Sequence, residues 1–292
     1  MPLFDRYIAV DWSANNRPKG GKDSIWIAEF GPDGLLPSIN PRTRHEAMNL
    51  LIERLDAGMT IGLRTFVGFD FPFGYPRGAA ARLSGESRWS SLWATIERDI
   101  RDEPNNRSNR FQVATAFNGR LGVHGPRFWG CPTSAANAGL STHKVGAVFD
   151  DVAEFRVVER VAKGAKSTWQ LFYNGSVGSQ CLLGLARLQA LRGSHRLANG
   201  IAIWPFETEF EKKLVAPIVF AEIYPSLDNY DTSVTPKDKA QVQAQVARFA
   251  SLDSADLFAQ LLSLPAEFSA HRDAILAEEG WIVGAGHKGL LV

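Results

Sequence analysis

Three carboxylates stand where strands are expected to end. Asp11 closes the apolar run RYIAVD, Asp70 closes TFVGFD, and Glu222 lies in FAEIYPS. In an open α/β sheet, ligands collect beyond the carboxyl ends of the strands. Carboxylates brought together there repel one another unless a proton or a cation joins them. A hard divalent ion such as Mg²⁺ or Mn²⁺ suits an all-oxygen site and keeps several of its waters. Such an ion activates water and stabilises an in-line displacement at phosphorus. Asp11, Asp70 and Glu222 are the expected metal ligands. A fourth acid is expected from the C-terminal helices. Asp273 in AHRDAILAEEG is preferred, because its helix runs directly into a final strand. Asp256 in SLDSADLF is the alternative, and Asp253 reads as a helix N-cap. Taken singly, each acid also reads as a turn cap or as the partner of a nearby Lys or Arg. Asp70 resists that reading most: it follows an apolar strand and precedes Phe-Pro-Phe-Gly, so its carboxylate is expected to be half-buried and to need a partner.

A second group of residues suits an anion. In GAKSTWQLFYNGSVGSQ, Lys166 and Gln170 precede an apolar turn, and Gly175, Ser176, Gly178 and Ser179 crowd the start of a helix. A Gly/Ser-rich helix start exposes backbone N–H groups and favours phosphate. Lys166, Gln170, Ser176 and Ser179 are therefore the expected substrate-binding residues, against the plainer reading that a serine caps the helix. The spacing is not that of a Walker A loop. Between 101 and 127 the chain carries Arg101, Arg107, Arg110, Arg120, Arg127 and His124, interleaved with or followed by Phe111, Phe117, Phe128 and Trp129. Such a pattern stacks bases, or more simply packs a loop's aromatics downward, which is the favoured reading. The six histidines show no HxH or HExxH spacing, so zinc is not expected. There is no GxSxG elbow. A thiol nucleophile at Cys131 has little local support.

These residues need a scaffold. The chain has 292 residues, 45% hydrophobic and 22% charged, with a net charge of +1, which is the profile of a globular protein and not of a disordered or coiled-coil one. Neither the charge nor any apolar stretch points to a membrane, and the N-terminus lacks the zones of a signal peptide, so a cytoplasmic location is expected. Strands are expected at 6–12, 24–30 and 35–40 as a meander, then at 65–70, 200–204 and 217–224, with a short closing strand at 281–283. Helical spacing appears at 43–57, where Thr43 and Glu46 fit a capping box, and at 86–101, 176–192, 236–262 and 266–279. Residues 102–165 have poor periodicity and read as a loop-rich insertion within one domain spanning 1–292. Three antiparallel strands followed by crossovers through helices predict an α/β mixed sheet flanked by helices, an order similar to the ribonuclease H-like fold.

Five blocks, YIAVDWSA, GFDFPFGYP, KSTWQLFYNGSVGSQ, EIYPS and AEEGWIVG, occur in order between residues 7 and 284. Together they resemble the DUF429-type family of bacterial proteins, which is similar to the ribonuclease H-like superfamily. The resemblance implies a single ribonuclease H-like core and a carboxylate cluster at Asp11, Asp70, Glu222 and one helical Asp. In RDAILAEEGWIVG the helix and the closing Gly-Trp-Ile are compressed, which leaves the fourth acid open. The expected activity is Mg²⁺- or Mn²⁺-dependent, nuclease-like hydrolysis of a phosphodiester or phosphate ester, with nucleic acid or a nucleotide as partner. The alternatives are a non-catalytic binding protein and an actin-like nucleotide-binding protein with a phosphate hairpin in DWSANNRPKGGKD. Chains resembling this one are also labelled as molybdopterin-guanine dinucleotide biosynthesis proteins, which no residue here supports mechanistically.

Overall fold

The segment RYIAVD forms β1 (Arg6–Asp11), with Ile8 and Val10 in one core and Tyr7 and Ala9 in another. A strand with both faces covered sits inside its sheet. β1 pairs antiparallel with β2 (Trp26–Gly31), which turns into the two-residue β3 (Gly34–Leu35). The meander expected from the sequence is present, but its third strand is cut short, and beyond it only Ile39 bridges back to Ile27. On its other side β1 pairs in parallel with β4 (Thr65–Phe69). β4 pairs in parallel with β6 (Ile218–Glu222), and β6 with β5 (Ile201–Ile203). The structure, a computed structural model, describes residues 2–122, 125–146, 149, 151–197, 199–211 and 214–287. Its sheet has the order β3-β2-β1-β4-β6-β5, a mixed α/β sheet flanked by helices. Because β1, β4 and β6 run parallel, their carboxyl ends share one edge.

The helices divide between the two faces. On one, α1 (Arg44–Thr60), α3 (Trp89–Asp99) and α6 (Gly178–Arg192) bury Leu51, Leu55, Trp93, Leu182 and Leu185 against Val10, Val67, Phe69 and Phe220. On the other, α7 (Lys237–Ser254) and α8 (Phe258–Leu261) bury Val246, Phe249 and Phe258 against Tyr7, Phe66 and Val219. Thr43 caps α1 by accepting from Glu46 N, while the Glu46 carboxylate accepts from Arg42 N, one residue before the expected box partner. The short α2 (Ala79–Ser84) is capped from far along the chain, because Gly78 N and Ala80 N both donate to Glu278. Among the described residues no helix is long and apolar enough to cross a membrane.

Four expectations need correction. The stretch 102–165 is not only loop: it holds α4 (Arg110–Leu121) and α5 (Val157–Val161). The buried face of α4 mixes Val113, Phe117 and Leu121 with Arg110 and Asn118, so polar residues interrupt its apolar period. Asn118 is consumed by the following loop, donating to Phe128 O and Gly139 O and accepting from Arg127 N and Phe128 N. His124 lies outside the described residues.

The helix expected at 266–279 breaks into a 3₁₀ turn (Ala266–His271), a single turn α9 (Arg272–Ala274) and a π stretch (Ile275–Glu279). Here the adjacent Glu278 and Glu279 are both buried, and each accepts from a backbone N–H of another segment. The closing strand at 281–283 reduces to one bridge between Ile282 and Glu222.

Asp253 is also not an N-cap. It sits in the last turn of α7, fully buried, and accepts hydrogen bonds from Leu3 N (2.7 Å), Phe4 N (3.0 Å) and the Tyr7 hydroxyl. Burial, with Asp253 beside it, pushes the Tyr7 phenol well up. Removing a buried acceptor leaves its donors unsatisfied at roughly 1–3 kcal/mol. Asp253→Ala is therefore expected to lower the unfolding free energy by about 3 kcal/mol in urea titration, with the m-value unchanged. A loss under about 0.5 kcal/mol would mean that the clamp contributes nothing net.

Candidate functional site

The strand register sorts the acids. Val10 pairs with Phe69 and Phe69 with Glu222, so these three side chains project to the same face of the sheet. Asp11 and Asp70 follow one residue later, and Asp70 N still donates to Val10 O. They therefore continue the opposite face, in step with Tyr7, Ala9 and Phe66. Glu222 is a single residue out of phase with the two aspartates.

That phase decides its partners. Glu222 accepts two parallel bonds from Arg156, Nη1 to Oε2 at 2.8 Å and Nη2 to Oε1 at 2.7 Å, and a third from Phe73 N. Arg156 also donates to Glu159 Oε1 at 2.8 Å and to Glu279 O at 2.8 Å. All of this is buried. Burial works against the Arg156 charge, and Glu222 and Glu159 more than offset it. Burial also pushes Glu159 up to about 7 against the pull of Arg156. Glu222, expected as a metal ligand, has its oxygens taken up by this pair.

Asp11 and Asp70 present the opposite picture. Each is half-buried, and among the described residues neither carboxylate accepts a hydrogen bond or joins an ion pair. Burial raises Asp11 well above the usual carboxylate range, with repulsion from Asp70, Asp238 and Asp23 adding to it. Burial likewise pushes Asp70 up to about 7, with Glu222 and Asp238 contributing. Asp238, in the first turn of α7, is the acid that the sequence reading missed. It accepts from Asp23 N at 2.7 Å, tying the β1–β2 loop to α7. It carried no local signal, since only the packing of α7 on β1 brings its first turn toward Asp11.

The remaining expected residues are dispersed. Asp273 is exposed on α9, lines neither cleft at the strand edge and is not among the charges acting on Asp11 or Asp70. Asp256 is exposed, in a left-handed turn after α7. Asp70 opens into a cavity of about 310 Å³ that Lys166, Ser176 and Gln180 also line. Asp11 and Asp238 line a neighbouring cleft of about 560 Å³, shared with Ser179. Ser176 and Gln180 belong to both, so the two form one groove across the ends of β1, β4 and β6. Gln180 holds this divide by donating to Trp12 O at 2.6 Å. Gln170 lines neither cleft; its side chain reaches only Phe172 O. Ser179 is buried and bonds Leu171 O, and its hydroxyl accepts from Arg110 Nε.

Set beside protein-family models, curated proteins and solved structures, the chain matches none.

Both thiols are closed to substrate: Cys131 and Cys181 are fully buried, and burial raises each. Among the described residues no group of three or more His, Cys, Asp or Glu side chains is arranged to hold an ion by itself. Two bare carboxylates suit a hard cation only if water and substrate oxygens complete its shell, which is how Mg²⁺ commonly binds.

The Asp70 shift fixes a pH dependence. Unfolded, Asp70 ionises near 3.8; folded, near 7. Below the lower value both states are protonated and the group is neutral to stability. Between the two, the unfolded chain alone releases the proton and is favoured, and above 7 the full cost is present. In EDTA, Asp70→Asn is expected to raise the unfolding free energy by roughly 1–3 kcal/mol at pH 8, a gain that vanishes by pH 4. A variant no more stable than wild type at pH 8 would mean that Asp70 is not held against its ionised form.

Proposed function

We propose that the protein is a divalent-metal-dependent hydrolase of phosphate esters or phosphodiesters, built on a ribonuclease H-like core. The observation that carries this reading is the pair Asp11 and Asp70: two half-buried carboxylates that act on each other and have no donor among the described residues. Such a pair is costly to ionise alone, and a cation is the partner that would offset that cost. The strand order, with β2 antiparallel between β3 and β1 and with β4 and β6 parallel beyond, supports the core assignment.

In this reading Asp11 and Asp70 hold the ion, with Asp238 close enough to add to the local negative charge. Mg²⁺ or Mn²⁺ would supply charge neutralisation at a phosphoryl oxygen and a water of lowered pKa. The chain itself supplies the rest. Lys166 brings an exposed ammonium to the wall of the Asp70 cavity, where it would meet a phosphate oxygen. Ser176 and Gln180 offer polar groups at the junction of the two clefts. Glu222, neutralised by Arg156, keeps that arm rigid and positions Phe73 behind the Asp70 turn. The actin-like alternative requires two such sheets, and the described residues form one.

The test is a thermal melt with Mg²⁺ and Mn²⁺ titrated into wild type, Asp11→Asn and Asp70→Asn, run beside turnover of a chromogenic phosphodiester. A bound ion stabilises by about 2.7 kcal/mol at a hundredfold excess over Kd. The wild type is expected to gain that stability and to hydrolyse the ester, and both variants are expected to lose at least about 100-fold in rate together with the metal response. A wild type indifferent to saturating metal would leave the aspartates as structural groups and favour a binding protein.

A further inference from the structure

Arg110 is a buried cation that makes no ion pair among the described residues. It is 7% exposed and lines the same cleft as Asp11. Its guanidinium donates only to neutral oxygens: Ser179 Oγ at 3.1 Å, Asn16 Oδ1 at 3.2 Å and Ser108 Oγ at 2.9 Å. Among the described residues no carboxylate lies within ion-pair distance of it. The nearest candidate, Asp102, is already consumed, accepting from Arg44 Nε at 2.9 Å and Nη2 at 2.5 Å and from Arg187 Nε at 2.9 Å. Burial, with Arg44 adding to it and Asp102 opposing it in part, lowers Arg110 to about 10. A buried charge usually has a charged partner, and three neutral acceptors hold the guanidinium in place without neutralising it.

The rim beside Arg110 is aromatic. Its guanidinium lies 4.5 Å from the Phe111 ring centroid. Phe111 meets Phe172 edge to face at 6.5 Å, Phe172 meets Tyr173 at 5.1 Å, and Tyr173 stacks on His143 at 5.9 Å. Phe172 and Tyr173 line the cleft and are 39% and 45% exposed, whereas Phe117 and Phe128 are buried in the core. Although Phe111 and His143 touch them, these two rings stay exposed at the cleft and offer aromatic surface to a planar heterocycle; base–aromatic stacking contributes roughly 1–3 kcal/mol per base.

We infer that this cleft is a nucleotide subsite, in which Arg110 takes a phosphate that is not hydrolysed and Phe172 with Tyr173 takes a base. That the bound phosphate is a non-reacting one rests on the hydrolase reading of Asp11 and Asp70. The ligand chemistry is a phosphate joined to a nucleobase, whether as a free mononucleotide or as part of a single strand.

The experiment is calorimetric binding in EDTA, so that neither metal nor turnover enters. The probes are adenosine 5′-monophosphate, adenosine, inorganic phosphate and a short single-stranded oligoadenylate. Wild type is expected to bind the monophosphate at least tenfold more tightly than adenosine or phosphate. Oligoadenylate binding at least tenfold tighter still identifies a strand as the ligand, and equal binding identifies the free nucleotide. Arg110→Gln is expected to lose at least tenfold for both nucleotide probes, and Arg110→Lys to recover part of that. Phe172→Ala, at an exposed position that leaves the core intact, is expected to lose about tenfold for the nucleotides and nothing for inorganic phosphate. A wild type that binds nucleotide in EDTA but shows no metal response in the melt keeps the subsite and loses the hydrolase. Monophosphate binding no tighter than phosphate alone, or unchanged in Phe172→Ala, overturns the proposal.

Discussion

Arg156 is the fixed point of the molecule. Its guanidinium is wholly buried and reaches three separate stretches of chain: Glu222 at the end of β6, Glu159 in α5 and the carbonyl of Glu279 near the C-terminus. Removing one partner of a buried pair costs about 3–5 kcal/mol, because the other charge is left without compensation. The pair therefore ties the last strand, the segment before α6 and the closing turn into one rigid corner. It also withdraws Glu222 from the neighbouring aspartates. With Arg156 paired to Glu222, Asp11 and Asp70 are the strand-end carboxylates left without a hydrogen-bond donor among the described residues.

Close backbone approaches complete that corner. A Cβ on Gly74 would lie 2.1 Å from Glu278 O, and one on Gly178 would lie 2.4 Å from Thr168 O. Only glycine permits the turn after β4 to lie against the EEG segment, or α6 to start against the loop that precedes it. The sequence blocks YIAVDWSA, GFDFPFGYP, KSTWQLFYNGSVGSQ, EIYPS and AEEGWIVG, scattered over most of the chain, meet here. Gln180 reaches Trp12 O, Arg156 reaches Glu222 and Glu279, and Gly74 touches Glu278.

Acids outnumber cations around the clefts. Asp11, Asp23 and Asp238 line one cleft with Arg110, and Asp70 lines the other with Lys166. Arg44 and Arg187 stand behind Arg110, held by Asp102. The exposed rings of Phe172 and Tyr173 line the cleft that holds Arg110.

Much of this was legible in the residues alone. Apolar runs placed β1, β4 and β6, and helical spacing placed α1 and α6, because each element carries its period in its own sequence. Asp11 and Asp70 stand out in the sequence because each directly follows a buried apolar run. The pairing of Glu222 with Arg156 was not legible locally, because the side of the sheet that a residue faces depends on the register between strands far apart in the chain, and one residue of phase reverses it. α4 was missed because its buried face includes Arg110 and Asn118, whose partners come from other segments. Asp238 was missed because its role follows from where α7 crosses β1. Local sequence determined which segments are strands and helices and which acids end them. Pairing across long separations decided which acids face each other and which are neutralised, since that pairing is a property of the assembled sheet and of no single segment.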